Sequence, residues 1–269
     1  MSEIDCLLKI FTTYGIDTET GRVLDIGCGN GKFTFELAAE FDEVVAIDAS
    51  KEVVEKVTKL SQKRKLKNVE VLQIDAKDLH TLGDNKFNVI VARNSLHFIP
   101  NVEKFYDDIK FLLRSHGVFL KISNPLFDLV FPGDAFKSSL VDSELKSFTE
   151  SRFRDELEEY WQTYVKENFV KYCDPFRTYK ETFIGEMQEF EMKTSREIHL
   201  LDLKDHIKEI TVVNNYISQH GIEEFESVYQ EFLKNISFLL DLEPCDLYFE
   251  DITLMRKDVY YVEVQANKE

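Results

Sequence analysis

Hydrophobic and polar positions follow two alternating periods along the first 124 residues. Aliphatic runs of five to seven residues, typical of strands buried on both faces, alternate with stretches in which apolar residues recur every three or four positions. The predicted strands are 22–26, 43–48, 69–75, 87–92 and 118–122, with helices at 3–14, between the strands, and from Pro100 to His116-Gly117. Strands that alternate with helices predict a parallel sheet with right-handed crossovers.

The pattern changes after Asn124-Pro125. Residues 125–186 contain a long helical pattern, at about 139–169, with many aromatic residues and no clear strand. Alternation returns in places over 182–200, followed by helical patterns at 202–219 and 222–240 and by edge-strand patterns between 247 and 262. We therefore predict an α/β core, formed by 1–124 and 187–269, and a helical lid at 125–186 that is inserted after the fifth strand. The expected sheet is Rossmann-like and mostly parallel, with seven strands flanked by helices.

Composition limits the class of protein. The chain has 269 residues, of which 43% are hydrophobic, so it can form a substantial folded core. It has a polar start and no apolar run long enough to span a membrane, which predicts a soluble cytoplasmic protein without a membrane partner. The four cysteines show no C-x-x-C spacing, so neither a metal site nor a disulfide framework is expected. The net charge of −17 argues against a nucleic-acid partner.

A glycine-rich turn joins the first predicted strand to the helix that follows it. Its sequence, Asp25-Ile26-Gly27-Cys28-Gly29-Asn30-Gly31, differs from the G-x-G-x-x-G of nicotinamide-binding turns because the third glycine comes one residue early. No Ser or Thr follows Lys32, which excludes a phosphate-binding P-loop. The pattern D-x-G-x-G-x-G does fit, and it resembles the cofactor motif of S-adenosylmethionine-dependent methyltransferases with a Rossmann-like fold.

The resemblance covers about residues 20–124, the predicted cofactor-binding part, and implies roles for residues that end successive strands. It places Asp48 on the ribose hydroxyls, Asp75 and the backbone of Ala76 on the adenine, and Asp25 on the glycine turn and the methionine ammonium of S-adenosyl-L-methionine. The implied cofactor-binding residues are Asp25, Gly27, Cys28, Gly29, Asp48, Ala49, Asp75, Ala76 and Asn94. Each acid could instead be an ordinary turn residue, but three acids at one sheet edge favour a ligand site.

The residues that act on the methyl acceptor are harder to predict. Methyl transfer from a sulfonium is an in-line displacement, and a general base is needed only when the acceptor must lose a proton. His97 follows the fourth strand and is the candidate catalytic residue, although a histidine bonded to a loop carbonyl is an equally good interpretation. Most aromatic residues of the insertion should form core. The proposed substrate-contacting residues are Trp161, Tyr164, Tyr172 and Phe176.

Three functions fit the sequence. Residues 154–215 resemble the small-molecule branch of the family that includes trans-aconitate methyltransferase and related fungal enzymes, which implies methylation of a small carboxylate or hydroxyl compound under a helical aromatic lid. A methyltransferase that acts on a protein or tRNA is the second hypothesis, and the acidic balance counts against RNA. A non-catalytic partner subunit that binds the cofactor is the third.

Overall fold

The computed structural model describes residues 2–84, 86–96, 99, 102–123, 128–130, 132–153, 187–208, 210–240 and 253–267. Contacts between residues divide the chain into two compact units. The first unit lies within 1–124, 168–192 and 260–269, and the second lies within 125–167 and 193–259.

The first unit is built on a mostly parallel sheet. Its parallel strands are β1 (Arg22–Ile26), β2 (Glu43–Asp48), β3 (Val69–Gln73), β4 (Phe87–Arg93) and β5 (Leu113–Ser123). They lie in the order β3-β2-β1-β4-β5, so the order reverses direction beside β1. Residues 261–266 of a late strand, β8 (Thr253–Ala266), pair antiparallel with β5.

Alternate residues of these strands pack into two different cores. Val23, Val44 and Val89 face one core, which also contains Leu7 and Phe11 of helix α1 (Glu3–Thr13). The strand residues Leu24, Val45 and Ile90 face the other. Burial on both faces explains why the strands are runs of branched aliphatic residues without polar alternation.

The helices of the first unit begin at residues suited to that position. The side chain of Ser2 accepts the Asp5 N–H at the start of α1, and Ser50 accepts the Val53 N–H at the start of α3 (Lys51–Lys63). The other helices of this unit are α2 (Lys32–Leu37), a 3-10 helix (Ala76–Leu82) and α4 (Val102–Leu112).

The second unit has its own hydrophobic core. Its elements are β6 (Asp128–Val130), α5 (Ala135–Arg152), the second part of β7 (Met187–His199), a 3-10 turn (Leu200–Asp202), α6 (Leu203–Lys208), α7 (Thr211–His220), α8 (Ile222–Leu239) and the start of β8. β6 pairs antiparallel with β8, with Leu129 opposite Arg256. Phe148 of α5 and Phe232 of α8 lie at the centre of this core, with ring centroids 4.5 Å apart. No helix in the described ranges is both long and apolar enough to span a membrane.

The structure confirms the α/β class and the five predicted parallel strands, and it corrects several details. The described residues form eight strands rather than seven, because β6 is too short to give a periodic signal. Strand β3 ends two residues earlier than predicted, since Asp75 caps the 3-10 helix, and β5 begins five residues earlier. The helix predicted at 202–219 is two helices, α6 and α7.

The predicted domain limits also differ from the observed ones. Residues 193–259 belong to the second unit, whereas the sequence pattern placed all of 187–269 in the core. The reason is that the apolar faces of α6, α7 and α8 pack into one core with α5 and β6. Periodicity shows that these faces are apolar but not which element covers them. The predicted lid role of 125–186 stays a prediction.

Candidate functional site

The three acids that end strands in the sequence lie at one edge of the sheet. Strands β1, β2 and β3 are adjacent and parallel, so their carboxyl ends meet. Asp48 is the last residue of β2, Asp25 is the last residue but one of β1, and Asp75 lies two residues beyond β3. In open α/β sheets this edge, beside the strand where the order reverses, is where ligands bind.

The glycine turn has an unusual backbone that places one glycine against open space. Gly27, Gly29 and Gly31 all have positive φ, at +74°, +52° and +76°. A Cβ on Gly27 would lie 2.7 Å from the Ser95 Cβ, and a Cβ on Gly31 would lie 2.8 Å from the Val57 Cγ1. A Cβ on Gly29 would meet no atom within 4 Å. Protein packing therefore requires the two outer glycines, while the middle one leaves a space that a ligand can approach.

The Asp48 carboxylate is held by the backbone on both of its oxygens. The Gly29 N–H donates to Oδ2 at 3.1 Å, and the Ser50 N–H donates to Oδ1 at 2.9 Å. The N–H groups of Gly27 and Cys28 both donate to the Ile47 carbonyl, which ties the turn to the end of β2. Because each carboxylate oxygen can accept more than one hydrogen bond, Asp48 can still accept two hydroxyl donors.

Asp25 is a buried carboxyl group that accepts a hydrogen bond from Thr34. It is 2% exposed, and its Oδ2 accepts the Thr34 hydroxyl at 2.6 Å. Burial raises the pKa of Asp25 to about 6, although the Thr34 hydrogen bond and the Arg93 charge act in the opposite direction. The group is therefore ionised at neutral pH but close to its titration range, and a cation beside it would favour the ionised form.

Arg93 and Glu3 form an ion pair next to this carboxyl. Arg93 ends β4, and its guanidinium donates from Nε to Glu3 Oε1 at 2.8 Å and from Nη2 to Glu3 Oε2 at 3.2 Å. Burial lowers the pKa of Arg93, but the Glu3 carboxylate outweighs it and the net shift is upward, so the charge is permanent. The pair joins α1 to the ligand edge of the sheet.

Asp75 and Asn94 shape the backbone at this edge. Asp75 caps the 3-10 helix by accepting the Lys77 N–H at 3.0 Å, and its Oδ2 lies 3.0 Å from the Lys77 Nζ. Burial raises the pKa of Asp75, but the hydrogen bonds and charge of Lys77 lower it by more. The net shift of the pKa is downward, so the group is ionised at neutral pH. Asn94 has a φ of +51° and donates its N–H to the Ile122 carbonyl at 2.9 Å.

The other predicted cofactor residues lie in the same region. Ala76 opens the 3-10 helix and is partly buried. Ala49 is exposed beside Asp48, and its carbonyl accepts the Gln73 side chain at 3.3 Å. The thiol of Cys28 is buried, and burial raises its pKa above the ordinary value, which disfavours the reactive thiolate form.

Five predicted residues lie outside the part of the chain that the structure describes. They are His97, Trp161, Tyr164, Tyr172 and Phe176. Among the described residues no group of His, Cys, Asp and Glu could hold a metal ion.

Sequence reasoning missed Glu3, Thr34 and Ser95. The Ser95 hydroxyl donates to the Ile26 carbonyl at 2.8 Å and its Cβ packs on Gly27, so Ser95 closes the glycine turn from the end of β4. Its position directly after Asn94 was the available signal. Nothing in the spacing of Glu3 or Thr34 indicated their partners, because each contact depends on the packing of a helix against the sheet.

Comparison with known proteins adds a family and a fold. A family profile described as a methyltransferase domain matches residues 17–172. The chain is similar to YcgJ of Bacillus subtilis (strain 168), named an uncharacterized methyltransferase, with 29% identity over 57% of this chain and 58% of that protein. It is also similar to a ubiquinone biosynthesis O-methyltransferase of Rickettsia typhi, with 30% identity over 43% of this chain and 46% of that protein. The chain thus aligns with about half the length of these relatives.

Similarity to solved structures extends over nearly the whole chain, and one such structure shows the fold. It comes from Anaeromyxobacter dehalogenans and was named as a candidate type II methyltransferase. Its TM-score is 0.64, with 96% of this chain and 95% of that chain covered. The sequence identity is 14%, so the likeness shows the fold alone.

Proposed function

We propose that this chain transfers a methyl group to a carboxylate or hydroxyl oxygen of a small molecule. The chain belongs to the methyltransferase-domain family, and its cofactor is S-adenosyl-L-methionine. The family profile covers more than half of the chain, in agreement with the family predicted from the glycine turn. The observation that carries the proposal is the open space at Gly29 directly beside the Asp48 carboxylate.

The described residues fit the cofactor group by group. Asp48 can accept two ribose hydroxyls while it keeps its backbone donors. Asp75, with the Ala76 N–H, is suited to the adenine, and the Asp25 carboxylate is suited to an ammonium group. When bound, the cofactor supplies a methyl group already activated on a sulfonium. The protein then has to orient the acceptor oxygen and exclude water.

Two observations support a small acceptor. The Rickettsia typhi relative is by its name an O-methyltransferase of ubiquinone biosynthesis, although the chain aligns with only 46% of it. The net charge of −17 disfavours an extended RNA surface. We propose His97 as the group that meets the acceptor, and Trp161, Tyr164, Tyr172 and Phe176 as lid residues around it. These five assignments rest on the sequence pattern.

The alternatives are a protein or tRNA acceptor and a non-catalytic partner subunit. A degenerate cofactor site would be expected to have lost an acid or a glycine, whereas Asp25, Asp48 and Asp75 and the three glycines are all present. This favours an active enzyme over a non-catalytic subunit.

The cofactor site is tested by calorimetric titration of S-adenosylmethionine into wild type and Asp48→Ala. Loss of the ribose contacts should weaken binding by about 10- to 100-fold, as expected for one or two hydrogen bonds to a charged group. Asp42→Ala is the matched control, because Asp42 is exposed next to the opposite end of β2 and should leave binding unchanged. Melting temperatures establish that all three proteins are folded. Wild type that gives no binding heat would exclude the cofactor role.

The acceptor is tested with methyl-labelled cofactor and a fractionated cell extract. We expect label in the small-molecule fraction, and expect His97→Asn to reduce the rate of labelling while cofactor affinity stays the same. Label that appears only in protein or RNA would replace the small-molecule proposal with the second hypothesis. Cofactor binding without any labelled fraction would support the non-catalytic one.

A further inference from the structure

A second cleft lies at the opposite edge of the same sheet, where β1, β4 and β5 begin. Its volume is about 580 Å³. The lining residues are Arg22, Asp84, Lys86, Leu113, Arg114 and Ser115. Arg22 begins β1, Lys86 precedes β4, and Arg114 is the second residue of β5. Because these strands are adjacent and parallel, their amino ends meet and bring three cations to one place.

Two of the cations are fixed by neighbouring side chains. The Arg22 side chain is only 17% exposed, its guanidinium lies 4.8 Å from the centre of the Phe87 ring, and its Nε is 2.9 Å from Glu43 Oε2. The Arg114 Nη1 donates to the Asn88 amide oxygen at 3.2 Å, and the same oxygen accepts the Arg22 backbone N–H at 2.9 Å. Asn88 therefore links the starts of β1 and β5 across β4.

The third cation is held against an aromatic ring. The Lys86 Nζ lies 3.9 Å from the centre of the Phe111 ring and also donates to the Phe111 carbonyl. All three cations are thus oriented before any ligand arrives. Preorganised groups lose less conformational entropy on binding, so such a site can bind an anion more tightly than free surface lysines can.

We propose that this cleft binds the phosphate group of a small phosphorylated molecule. Its lining carries three cations and one carboxylate, and because Arg22 is paired with Glu43, Lys86 and Arg114 are the cations that face a ligand, with the Ser115 hydroxyl as a further donor. A guanidinium matches phosphate oxygens through parallel N–H donors, and several cations together suit a dianion better than a single carboxylate. The volume is that of a small-molecule site. On a chain with a net charge of −17 such a basic cleft is local, so an extended nucleic acid is not the expected ligand.

The cleft is separate from the cofactor site. A five-residue strand such as β1 spans about 16 Å, which puts the two sites at opposite ends of the same strands. That distance exceeds the Debye length of about 8 Å at physiological salt, so charge changes in the cleft should leave cofactor affinity unchanged. This separation makes the proposal independent of the proposed function.

The test is calorimetric titration of the full chain with pyrophosphate, inorganic phosphate and glycerol phosphate at fixed ionic strength. We expect saturable binding of glycerol phosphate and pyrophosphate that Lys86→Gln/Arg114→Gln weakens at least tenfold. The control Lys56→Gln/Lys59→Gln removes two exposed cations of α3 and should change affinity less than twofold. Asp84→Asn removes the carboxylate of the lining, and it should tighten binding several-fold.

Several results would overturn the proposal. The first is that no probe shows saturable binding. The second is that the cleft variant and the control variant lose equal amounts of affinity, and the third is that S-adenosylmethionine competes completely with the probe. If inorganic phosphate binds as tightly as glycerol phosphate, the cleft is a site for free phosphate, and the proposal of a phosphorylated molecule is overturned. If the double variant does not fold, Arg114→Lys is tested in its place. The lysine keeps the positive charge but lacks the planar guanidinium with its parallel donors, so binding should weaken several-fold.

Discussion

At the residue scale, Asp25 combines a position at the proposed cofactor site with an energetic cost. A buried carboxyl whose pKa rises from 3.8 to about 6 disfavours its own ionised form. Between these two pKa values the folded state binds more protons than the unfolded state, so stability falls as pH rises from about 4 to about 6. Above pH 6 the full cost is present. At 1.36 kcal/mol per pKa unit it amounts to at most about 3 kcal/mol.

The first prediction is that Asp25→Asn stabilises the cofactor-free protein at neutral pH. The amide cannot ionise, and its oxygen can still accept the Thr34 hydroxyl. At pH 7.5 the free energy of unfolding should exceed that of wild type by up to about 3 kcal/mol, and the difference should vanish near pH 4. Urea unfolding at both pH values measures this. A variant less stable than wild type at pH 7.5 would contradict the assigned cost of burying the charge.

The second prediction concerns cofactor affinity and pH. An ammonium group beside Asp25 requires its ionised form, so the dissociation constant for S-adenosylmethionine should rise as pH falls below about 6, by about tenfold per pH unit at the limit. Titration calorimetry at pH 5, 6 and 7.5 tests this. Asp25→Asn should bind weakly and without this pH dependence. A wild-type profile flat down to pH 5 would exclude Asp25 from ammonium recognition.

The third prediction separates the two kinds of glycine in the turn. Gly31→Ala would force a Cβ to 2.8 Å from Val57 at a φ of +76° and should cost about 2–4 kcal/mol of stability. Gly29→Ala meets no protein atom, so its cost is backbone strain of about 1 kcal/mol, but its methyl group enters the space assigned to the ligand. Denaturant unfolding and cofactor titration together should show Gly31→Ala as the less stable variant and Gly29→Ala as folded but weak in binding. The reverse ranking of stabilities would disprove the assignment of the open space.

At the element scale, α1 is joined to the ligand edge by one ion pair. The Glu3 side chain is 10% exposed and the Arg93 side chain 32%, and breaking such a partly buried pair leaves a charge without its partner. Glu3→Gln should therefore reduce stability by about 1–2 kcal/mol and speed amide hydrogen exchange in residues 3–13. Glu19→Gln, at an exposed position, is the control. Unchanged exchange in α1 would show that the pair does not hold this helix.

Elements with a strong local signal could be predicted, and those that depend on distant partners could not. β1 and β2 match their predicted limits because both faces of each strand are buried and an acid or glycine turn follows. The Ser50 cap of α3 was predictable for a similar local reason. By contrast, β6 has three residues and is defined by its pairing with β8, more than a hundred residues away. The grouping of α6–α8 with α5 likewise depends on tertiary packing.

The site shows the same division. The acids and glycines of the ligand edge lie on three neighbouring strands, and the rule that parallel strands end together was enough to group them. The same rule applied to strand beginnings would have grouped Arg22, Lys86 and Arg114, but cations at strand starts carry no motif. Glu3 reaches Arg93 only because α1 packs on the sheet.

At the scale of the whole molecule, β8 belongs to both units. Residues 253–259 lie in the second unit and 260–266 in the first. The first-unit part buries Tyr260, Val262 and Val264 in the core shared with β4, β5 and α1, and it pairs antiparallel with β5. A chain cut after residue 124 would therefore lose apolar burial and leave β5 as an unpaired edge, which favours aggregation.

The last prediction is that a short hairpin restores the fold of the five parallel strands, even without residues 168–192 of the first unit. Ser123 lies opposite Tyr261, so a four-residue Gly/Asn loop from residue 124 to residue 260 matches the observed antiparallel register. Residues 1–124 alone should be insoluble or non-cooperative in urea, whereas 1–124 joined to 260–269 should unfold cooperatively and bind S-adenosylmethionine. Replacing Tyr260, Val262 and Val264 by Thr in the joined chain keeps the strand but removes the apolar burial, and should abolish the gain. Equal stability of the cut and joined chains would show that the first unit does not need β8, and the fold of the cofactor site would then rest on the five parallel strands alone.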